Sequence, residues 1–432
     1  MLDIEQHLLN MLQPWRDSSS LCVAFSGGMD STVLLFALVQ LAKRNGMPPL
    51  RAIYIHHGLQ EAAQSWPAHC QQLCDELQVP LTVVEVKVAA TASVEQAARV
   101  ARYAAFAQHL HSNEVLLMAQ HQDDQAETLL FRLVRGTGVA GLRGIPMARG
   151  LQQGQVVRPL LQVSHQQLLG YAQQQNLHWI EDPSNAADDF DRNYLRHHVM
   201  PALKSRWPAM QQSLQRTAQH MQEAQQLLDE LAIEDLQRVQ IEPVLDWLTV
   251  PCLDLNEIRG LSLVRQKNLL RYWLTPFTLL PDSAHWAGWE AMRDAQLDAQ
   301  PIWRLATGAL QRSQNRLYYL TQFWLENPPA LDLTIRSAGR YKLPGNGCLL
   351  VSGNLSEPLQ VCYRQGAERF FIEGRGHRDL KRLLQEYAVP AFVRSRLPVL
   401  FLRQQPVALA NVLDLNHHTV RHLTFKWDFP SA

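Results

Sequence analysis

The first 135 residues alternate short apolar runs with longer stretches in which apolar positions recur at helical spacing. Leu21–Phe25 and Leu50–Ile55 read as strands, and Leu81–Val88 and Val115–Met118 continue the series. Between and after them, Ser31–Arg44, Ala62–Leu77, Val94–Leu110 and Asp124–Arg135 read as helices. Four strand–helix units in succession predict an α/β fold, a doubly wound parallel sheet with helices on both faces. In such sheets ligands bind beyond the carboxyl ends of the strands.

The pattern changes near residue 150. Gln166–Trp179 is glutamine-rich and reads as a helix, broken by Asp182-Pro183-Ser184-Asn185. Helical periodicity resumes over Tyr194–Leu231, and short glutamine-rich patches fall on its surface positions. Asn327-Pro328-Pro329 reads as a linker, and Leu349–Val351 and Leu397–Leu402 have strand-like alternation. The expected organisation is a first domain over 1–215, a helical middle domain over 216–325 and a small α+β domain over 326–432. A chain of 432 residues is too long for one ordinary core.

Charge sharpens this picture. The formal net charge is zero, unlike that of a generic nucleic-acid binder. Yet Thr217–Gly260 holds nine acidic and two basic residues, whereas Cys362–Arg403 holds nine basic and four acidic. Such asymmetry predicts local binding faces. The six cysteines form no Cys-x-x-Cys pair and read as buried free thiols. Met1–Leu12 lacks the basic start and apolar core of a signal peptide, and no apolar run is long enough to span a bilayer. A cytoplasmic protein with no membrane partner is expected.

The first candidate for chemistry is Ser26-Gly27-Gly28-Met29-Asp30-Ser31, between a predicted strand and a predicted helix. Two glycines let the backbone turn tightly and approach a ligand. The hydroxyls of Ser26 and Ser31 and the amides of the helix start can all donate to phosphate. Asp30 is out of place beside phosphate unless it holds Mg²⁺ or faces a cationic group. The Walker pattern is absent. Gly136-Thr137-Gly138-Val139-Ala140-Gly141 has dinucleotide-loop spacing but follows a helix, so it reads as a mobile glycine-rich loop near the site.

His56 and His57 close the second strand, where contact with adenine or ribose suits them better than a metal. Glu95, Arg99 and Arg102 share a helical face; this is either a surface ion pair or an arginine turned toward phosphate charge. His121-Gln122-Asp123-Asp124-Gln125-Ala126-Glu127-Thr128 follows the fourth strand. Its carboxylates either favour a helix start, hold Mg²⁺, bind an ammonium or take a proton from an amine.

Together these pieces resemble the tRNA(Ile)-lysidine synthetase family of pyrophosphate-loop ATPases. The resemblance runs through Ser26–Ser31, His56–Leu59, Glu95…Arg99…Arg102-Tyr103 and His121–Thr128. It continues through Arg135–Leu142, Arg158-Pro159-Leu160, Glu181–Asn185 and Arg192…Arg196, and returns in the basic run from Gly374 to Pro398. Over the middle region it is weaker. The resemblance implies a PP-loop (HUP-type) first domain and a ligase using ATP and Mg²⁺. Such an enzyme adenylates the wobble cytidine of the CAU-anticodon tRNA(Ile) and attaches L-lysine at C2.

It also implies roles. Ser26, Gly27, Gly28, Met29, Asp30 and Ser31, with His56 and His57, would hold ATP, and Asp30 the Mg²⁺. Arg102 would support adenylate transfer, and Asp123, Asp124 and Glu127 would serve lysine or metal. Arg192, Arg196, Arg375, Arg378, Lys381 and Arg382 would contact tRNA phosphates. A solvated helix face is the plain alternative for the C-terminal charges. A homodimer through the middle domain is left open.

Three other readings stand beside this one. A thiolating enzyme on the same fold wants a catalytic cysteine or iron–sulfur cluster, and an amide-forming relative wants an ammonia source. A nucleotide-binding module without chemistry would need none of the clustered carboxylates.

Overall fold

The computed structural model describes residues 3–58, 64–88, 94–183, 188, 191–280, 285–296, 299–364, 366, 368–372, 376–412 and 417–430, with backbone alone at 94 and 95. The chain forms two compact units, Met1–Gln226 and Leu227–Ala432.

The first unit opens with α1 (Ile4–Met11), capped by the Asp3 side chain, which accepts from the Gln6 amide. Then follow β1 (Ser20–Ala24), α2 (Met29–Asn45), β2 (Leu50–His56), α3 (Trp66–Leu77), β3 (Leu81–Glu85), α4 (Val94–His109), β4 (Glu114–Leu117) and α5 (Gln122–Val134). A short α6 (Val139–Leu142) leads to the hairpin β5 (Ala148–Leu151) and β6 (Gly154–Val157). The unit continues with α7 (His165–Gln174), α8 (Asp191–Tyr194), a π-helical turn at Leu195–Val199, α9 (Met200–Arg206) and the start of α10 (Met210–Val239).

The sheet runs β3-β2-β1-β4-β6-β5, parallel except for the β5–β6 pair. The hairpin of β5 and β6 extends the sheet beyond the four expected strands. Alternation along β1 sends Leu21 and Val23 to one face, against α1, α2, α3 and α7, and Cys22 to the other, against α4. Helix α2 is apolar on most sides because it is enclosed; Val33, Leu34, Leu35 and Leu38 are buried. Each such leucine contributes roughly 2–3 kcal/mol on burial. Asp30 in its first turn and Lys43 and Arg44 in its last suit the helix dipole, and Gly46 closes it in the left-handed conformation.

This strand order fixes the site. From β1 the chain winds outward to β2 and β3, then crosses to β4 on β1's other side. The connections after β1 and β4 therefore leave in opposite directions and open a crevice at their carboxyl ends. Both sequence constellations, the Ser26–Ser31 loop and the His121–Thr128 helix start, follow these two strands.

The division between the units falls inside α10, beyond the 215 boundary expected from sequence. In the second unit come β7 (Cys252–Asp254), α11 (Leu255–Gly260), α12 (Leu263–Leu274), α13 (Ala287–Asp294), β8 (Ile302–Arg304), β9 (Ala309–Ser313) and β10 (Arg316–Leu320). The helices close over a core of Trp273, Trp286, Trp289 and Trp303. The four short strands, ordered β7-β10-β9-β8, were not singled out in the sequence.

The chain goes on through α14 (Gln322–Leu325), β11 (Leu333–Ile335), β12 (Gly339–Lys342), β13 (Cys348–Ser352), β14 (Leu359–Tyr363), β15 (Arg369–Ile372) and β16 (Gly376–Asp379). It ends with α15 (Leu380–Glu386), α16 (Ala391–Arg394), β17 (Pro398–Leu402), β18 (Gln405–Leu409) and β19 (Thr424–Asp428). Tyr318 of β10 meets Phe392 of α16 at 5.2 Å between ring centroids, and Trp324 meets the same ring at 5.4 Å. A shared core thus includes residues on both sides of Asn327-Pro328-Pro329, where the sequence suggested a linker.

All six cysteines are free, five buried and Cys362 half-buried. Burial pushes the thiols of Cys22, Cys70 and Cys74 up to about 12. They are poor nucleophiles. No helix among the described residues is long and apolar enough to cross a membrane.

Candidate active site

The loop after β1 is built to leave donors open. Gly28 caps α2 in an extended conformation and no side chain caps the helix, so its first amides await an acceptor. Gly27 has φ +78°, and an added Cβ there would lie 2.7 Å from Ile180 Cδ1 and 2.9 Å from Cys70 Sγ. The Gly27 carbonyl accepts from the Ile180 amide at 2.9 Å, which pins the loop from outside. Within the loop, Ser31 Oγ donates to the Gly28 carbonyl at 3.0 Å and accepts from the Ser26 amide at 3.2 Å; the two hydroxyls stand 3.1 Å apart. The uncapped amides at the start of α2 suit an anion such as phosphate.

Asp30 projects from this first turn. Its Oδ2 lies 3.5 Å from His121 Nε2, and its Oδ1 is buried with no hydrogen-bond partner. His121 is thus the side chain that faces Asp30 across the crevice. It is only 4% exposed and caps α5, its Nδ1 accepting from the Asp123 amide at 3.2 Å. Asp124 completes a capping box by accepting from the His121 amide at 3.0 Å. Burial works against charge on His121. A hydrogen bond to Asp30 and the charges of Asp124, Asp30 and Asp123 outweigh it and raise the imidazole to about 9. The proton's home is Nε2, which faces Asp30 and Asp124 at 3.5 and 3.6 Å. A second ring proton must displace the cap bond at Nδ1.

The other carboxylates are held as firmly. Asp123 accepts from the His165 amide at 3.0 Å and from the Gln211 side chain. Glu127, nearly enclosed, accepts two hydrogen bonds from Arg196, at 2.7 and 2.8 Å. Burial pushes Glu127 up and Arg196 pulls it back; the net direction is up. Burial works against Arg196, but its hydrogen bonds to Glu127 and the charges of Glu127, Asp124 and Asp30 outweigh it, and the net direction is up. Arg196 sits on the π-helical turn, a distortion common where a side chain must be aimed at a site. Sequence grouped Arg196 with phosphate contacts; its part-exposed guanidinium pairs with Glu127 and, at 3.5 Å, with Asp124.

On the β2 side of the crevice, the Nδ1 atoms of His56 and His57 are buried without partners. Burial, then the neighbouring charges of Arg102 and His56, hold His57 below its usual range. Arg102 therefore sits near His57. Beside it Tyr103 accepts from the enclosed Arg158 at 3.2 Å, and Arg99 and Arg149 lie over its ring at 5.0 and 4.4 Å. The glycine run after α5, expected to be mobile, carries α6 and is tied by Arg132, which donates to the carbonyls of Gly141 and Gly144 at 2.8 Å each. The side chain of Glu95 lies outside the described residues.

The remaining basic candidates are dispersed. Arg192 of α8 lies 6.0 Å from the Phe131 ring. Arg378 is on β16 with a buried, unpartnered Nε, while Lys381 and Arg382 are exposed on α15 and Arg382 faces Glu386 at 3.6 Å. Arg375 lies outside the described residues. Reading the sequence named His121 without giving it a task and passed over His165 and Gln211. The chance that an α10 glutamine reaches Asp123 had no local signal, because 88 residues separate them.

Whether these residues fit a magnesium nucleotide can be tested on the geometry. Asp30 Oδ1, the uncapped amides of α2 and the unpartnered ring nitrogens of His56 and His57 follow strands at one sheet edge, and a magnesium nucleotide would supply partners for each. No group of three or more His, Cys, Asp or Glu among the described residues is arranged to hold a metal ion. A metal here would rest on Asp30 and the nucleotide's own phosphates, the usual arrangement for Mg²⁺.

Comparison with known proteins identifies the family. A family model described as a PP-loop domain matches residues 1–203. A TilS substrate binding domain matches 253–318 and a TilS substrate C-terminal domain 359–418. A tRNA(Ile)-lysidine synthase of Pseudomonas fluorescens is 51% identical, over 99% of this chain and 97% of its own. Those of Pseudomonas syringae and Pseudomonas putida are 50% and 52% identical, covering 100% and 94% of this chain and 97% and 95% of theirs. With such identity over essentially its whole length, the chain belongs to the tRNA(Ile)-lysidine synthase family.

Proposed function

We propose that this chain uses ATP to activate the wobble cytidine of a CAU-anticodon tRNA(Ile) and then joins L-lysine to it, acting in the cytoplasm. The observation that carries the reading is the bridge of His121 between Asp30 of the phosphate loop and Asp124 of α5. It ties a phosphate-binding turn to a carboxylate cluster at one crevice. A nucleotide and an amine can then be held side by side.

Two displacements complete the reaction. In the first, O2 of the cytosine attacks the α-phosphorus of ATP and pyrophosphate leaves. In the second, the lysine ε-amine attacks C2, the C2–O bond breaks and AMP leaves. Ser26, Gly27, Gly28, Met29 and Ser31 cradle the phosphates, and Asp30 would hold Mg²⁺, which would supply charge neutralisation. His56 and His57 face the nucleoside, and Arg102 stabilises charge on the phosphoryl group as it transfers. Activation is needed because a carbonyl oxygen is a poor leaving group and AMP a good one.

Lysine's amine, near 10.4 when free, is protonated at neutral pH and must shed that proton to attack. Asp123, Asp124 and Glu127 orient the ammonium. We assign the proton to Glu127, one of whose oxygens is freed when the part-exposed Arg196 swings toward solvent. Arg192, with Arg375, Arg378, Lys381 and Arg382, contributes phosphate contacts along the RNA. We assign catalysis to residues 1–215, which also carry the Arg192 contact, and further RNA binding to residues 216–325 and 326–432.

The decisive assay follows labelled lysine into an isoleucine CAU transcript and into a methionine one, with ATP and Mg²⁺. Incorporation only into the first, lost in Asp30→Ala, is expected. AMP release without lysine in either RNA would reject the proposal.

A further inference from the structure

Beyond Gln211, which holds Asp123, the glutamine row on α10 takes no part in that chemistry. Gln211, Gln215, Gln219, Gln222 and Gln226 recur at spacings of four and three, which places them along one helical face. The row begins at the reaction site, where Gln211 donates to Asp123. One turn on, Gln215 accepts from Gln122 of α5 at 2.6 Å. The next members line a cavity of about 340 Å³ within the first unit.

The cavity's chemistry selects its guest. Gln219 and Gln222 on α10 and Gln162 opposite supply neutral amides, which donate and accept at once. Ile145, Met147 and Leu161 add an apolar surface against which a flat ring can lie. A phosphate would want several cations and an amine several carboxylates; the cavity has one of each, Arg143 and Glu223. The Gln125 amide is already used, donating to the Ile145 carbonyl and accepting from its amide, so the loop forming one wall is fixed in place. Amides around an apolar slot are how proteins read the edge of an unpaired base. The cavity hangs on the first two turns of α5, the same turns that carry Asp123, Asp124 and Glu127.

We infer that this cavity receives an unpaired base of the RNA next to the cytidine being modified, and that the α10 glutamines read that base. The inference rests on the reaction proposed above. The same slot chemistry would suit the adenine of ATP, so the test separates the two sources.

The kcat/KM for lysine incorporation is measured with transcripts substituted singly at each anticodon-loop base, for the wild-type protein and for Gln219→Leu/Gln222→Leu. Both glutamines are exposed on a long helix, and leucine keeps helix propensity. The wild type should lose about tenfold or more on substitution at one loop position beside the cytidine. The double variant should lose about tenfold on the natural loop and discriminate far less at that one position, with its KM for ATP unchanged. Discrimination kept at every position, or a raised KM for ATP with RNA kinetics intact, would overturn the inference. Absence of lysine incorporation by the wild type would instead reject the proposed reaction and take the inference with it.

Discussion

Arg196 grips Glu127 with a two-pronged hydrogen bond, Nε to Oε1 at 2.7 Å and Nη2 to Oε2 at 2.8 Å. The carboxylate is almost wholly enclosed, whereas the arginine side chain is 41% exposed. One partner can therefore leave toward solvent, and the other cannot.

Removing Arg196 should thus be felt at Glu127. Arg196→Ala strands a buried carboxylate, at about 2 kcal/mol, below the roughly 3–5 of a fully enclosed pair because Arg196 is part-exposed. With its lowering partner gone, Glu127 rises further, so the acidic limb of the pH–rate profile moves to higher pH. Lysine incorporation should fall on the order of 10²-fold, with pyrophosphate release much less affected. Arg196→Lys keeps charge but not the fork and should fall between. Equal losses in both half-reactions would reject this separation of steps.

His121 predicts a stability that depends on pH. Its folded-state value, about 9, lies above the ordinary 6.5. The stabilisation is therefore fully present below pH 6.5 and is lost as pH rises through 9. It amounts to about 3 kcal/mol at most, a group this enclosed needing little discount for solvent. Denaturant unfolding of the wild type should weaken across that window, and His121→Asn should flatten the decline. NMR titration of the ring should give a midpoint near 9. A midpoint at or below 6.5 would mean that the Asp123 cap at Nδ1 outweighs the three carboxylates.

The sequence revealed the sheet because β1, β2 and β4 are short apolar runs whose periodicity differs sharply from that of the helices around them. It revealed the phosphate loop because Gly27 and Gly28 have few other uses between a strand and a helix. The hairpin of β5 and β6 stayed hidden; at four residues each, with Arg149 and Gln155 among them, neither strand carries enough pattern. The same holds for the three-residue strands β7 and β8. The pairing of Arg196 with Glu127 is not legible locally, because a lone arginine on a helix carries no mark of a partner 69 residues earlier in the chain. Long-range pairs of this kind become legible only when the fold brings the elements together.

The C-terminal basic residues carry a salt-dependence prediction. Lys381 is exposed on α15, and the Nε of Arg378 has no partner. If both neutralise RNA phosphates, Arg378→Ala/Lys381→Ala should weaken tRNA binding and reduce the slope of log K against log salt by about 1.5. Filter binding at several salt concentrations measures this. A parallel line, shifted or not, would mean that neither residue releases counterions.

The two loop glycines should separate under the same substitution. Gly28 has φ −74°, and an added Cβ there finds only Ser26 Oγ, at an ordinary 3.6 Å. Gly27 has φ +78°, where an L side chain is strained, and its Cβ would press on Ile180 and Cys70 at 2.7 and 2.9 Å. Both obstacles are side-chain ends that can shift, but Cys70 is fully buried among residues with nowhere to go. Gly27→Ala should cost about 1–3 kcal/mol of stability, and Gly28→Ala much less. Because the Gly27 carbonyl also anchors Ile180, relaxation of the strain should reorient the loop's amides and raise the KM for ATP, with tRNA affinity unchanged. Unfolding curves and ATP titrations on the two variants check this. Equal stability losses at the two positions would show that the backbone at Gly27 adapts without strain.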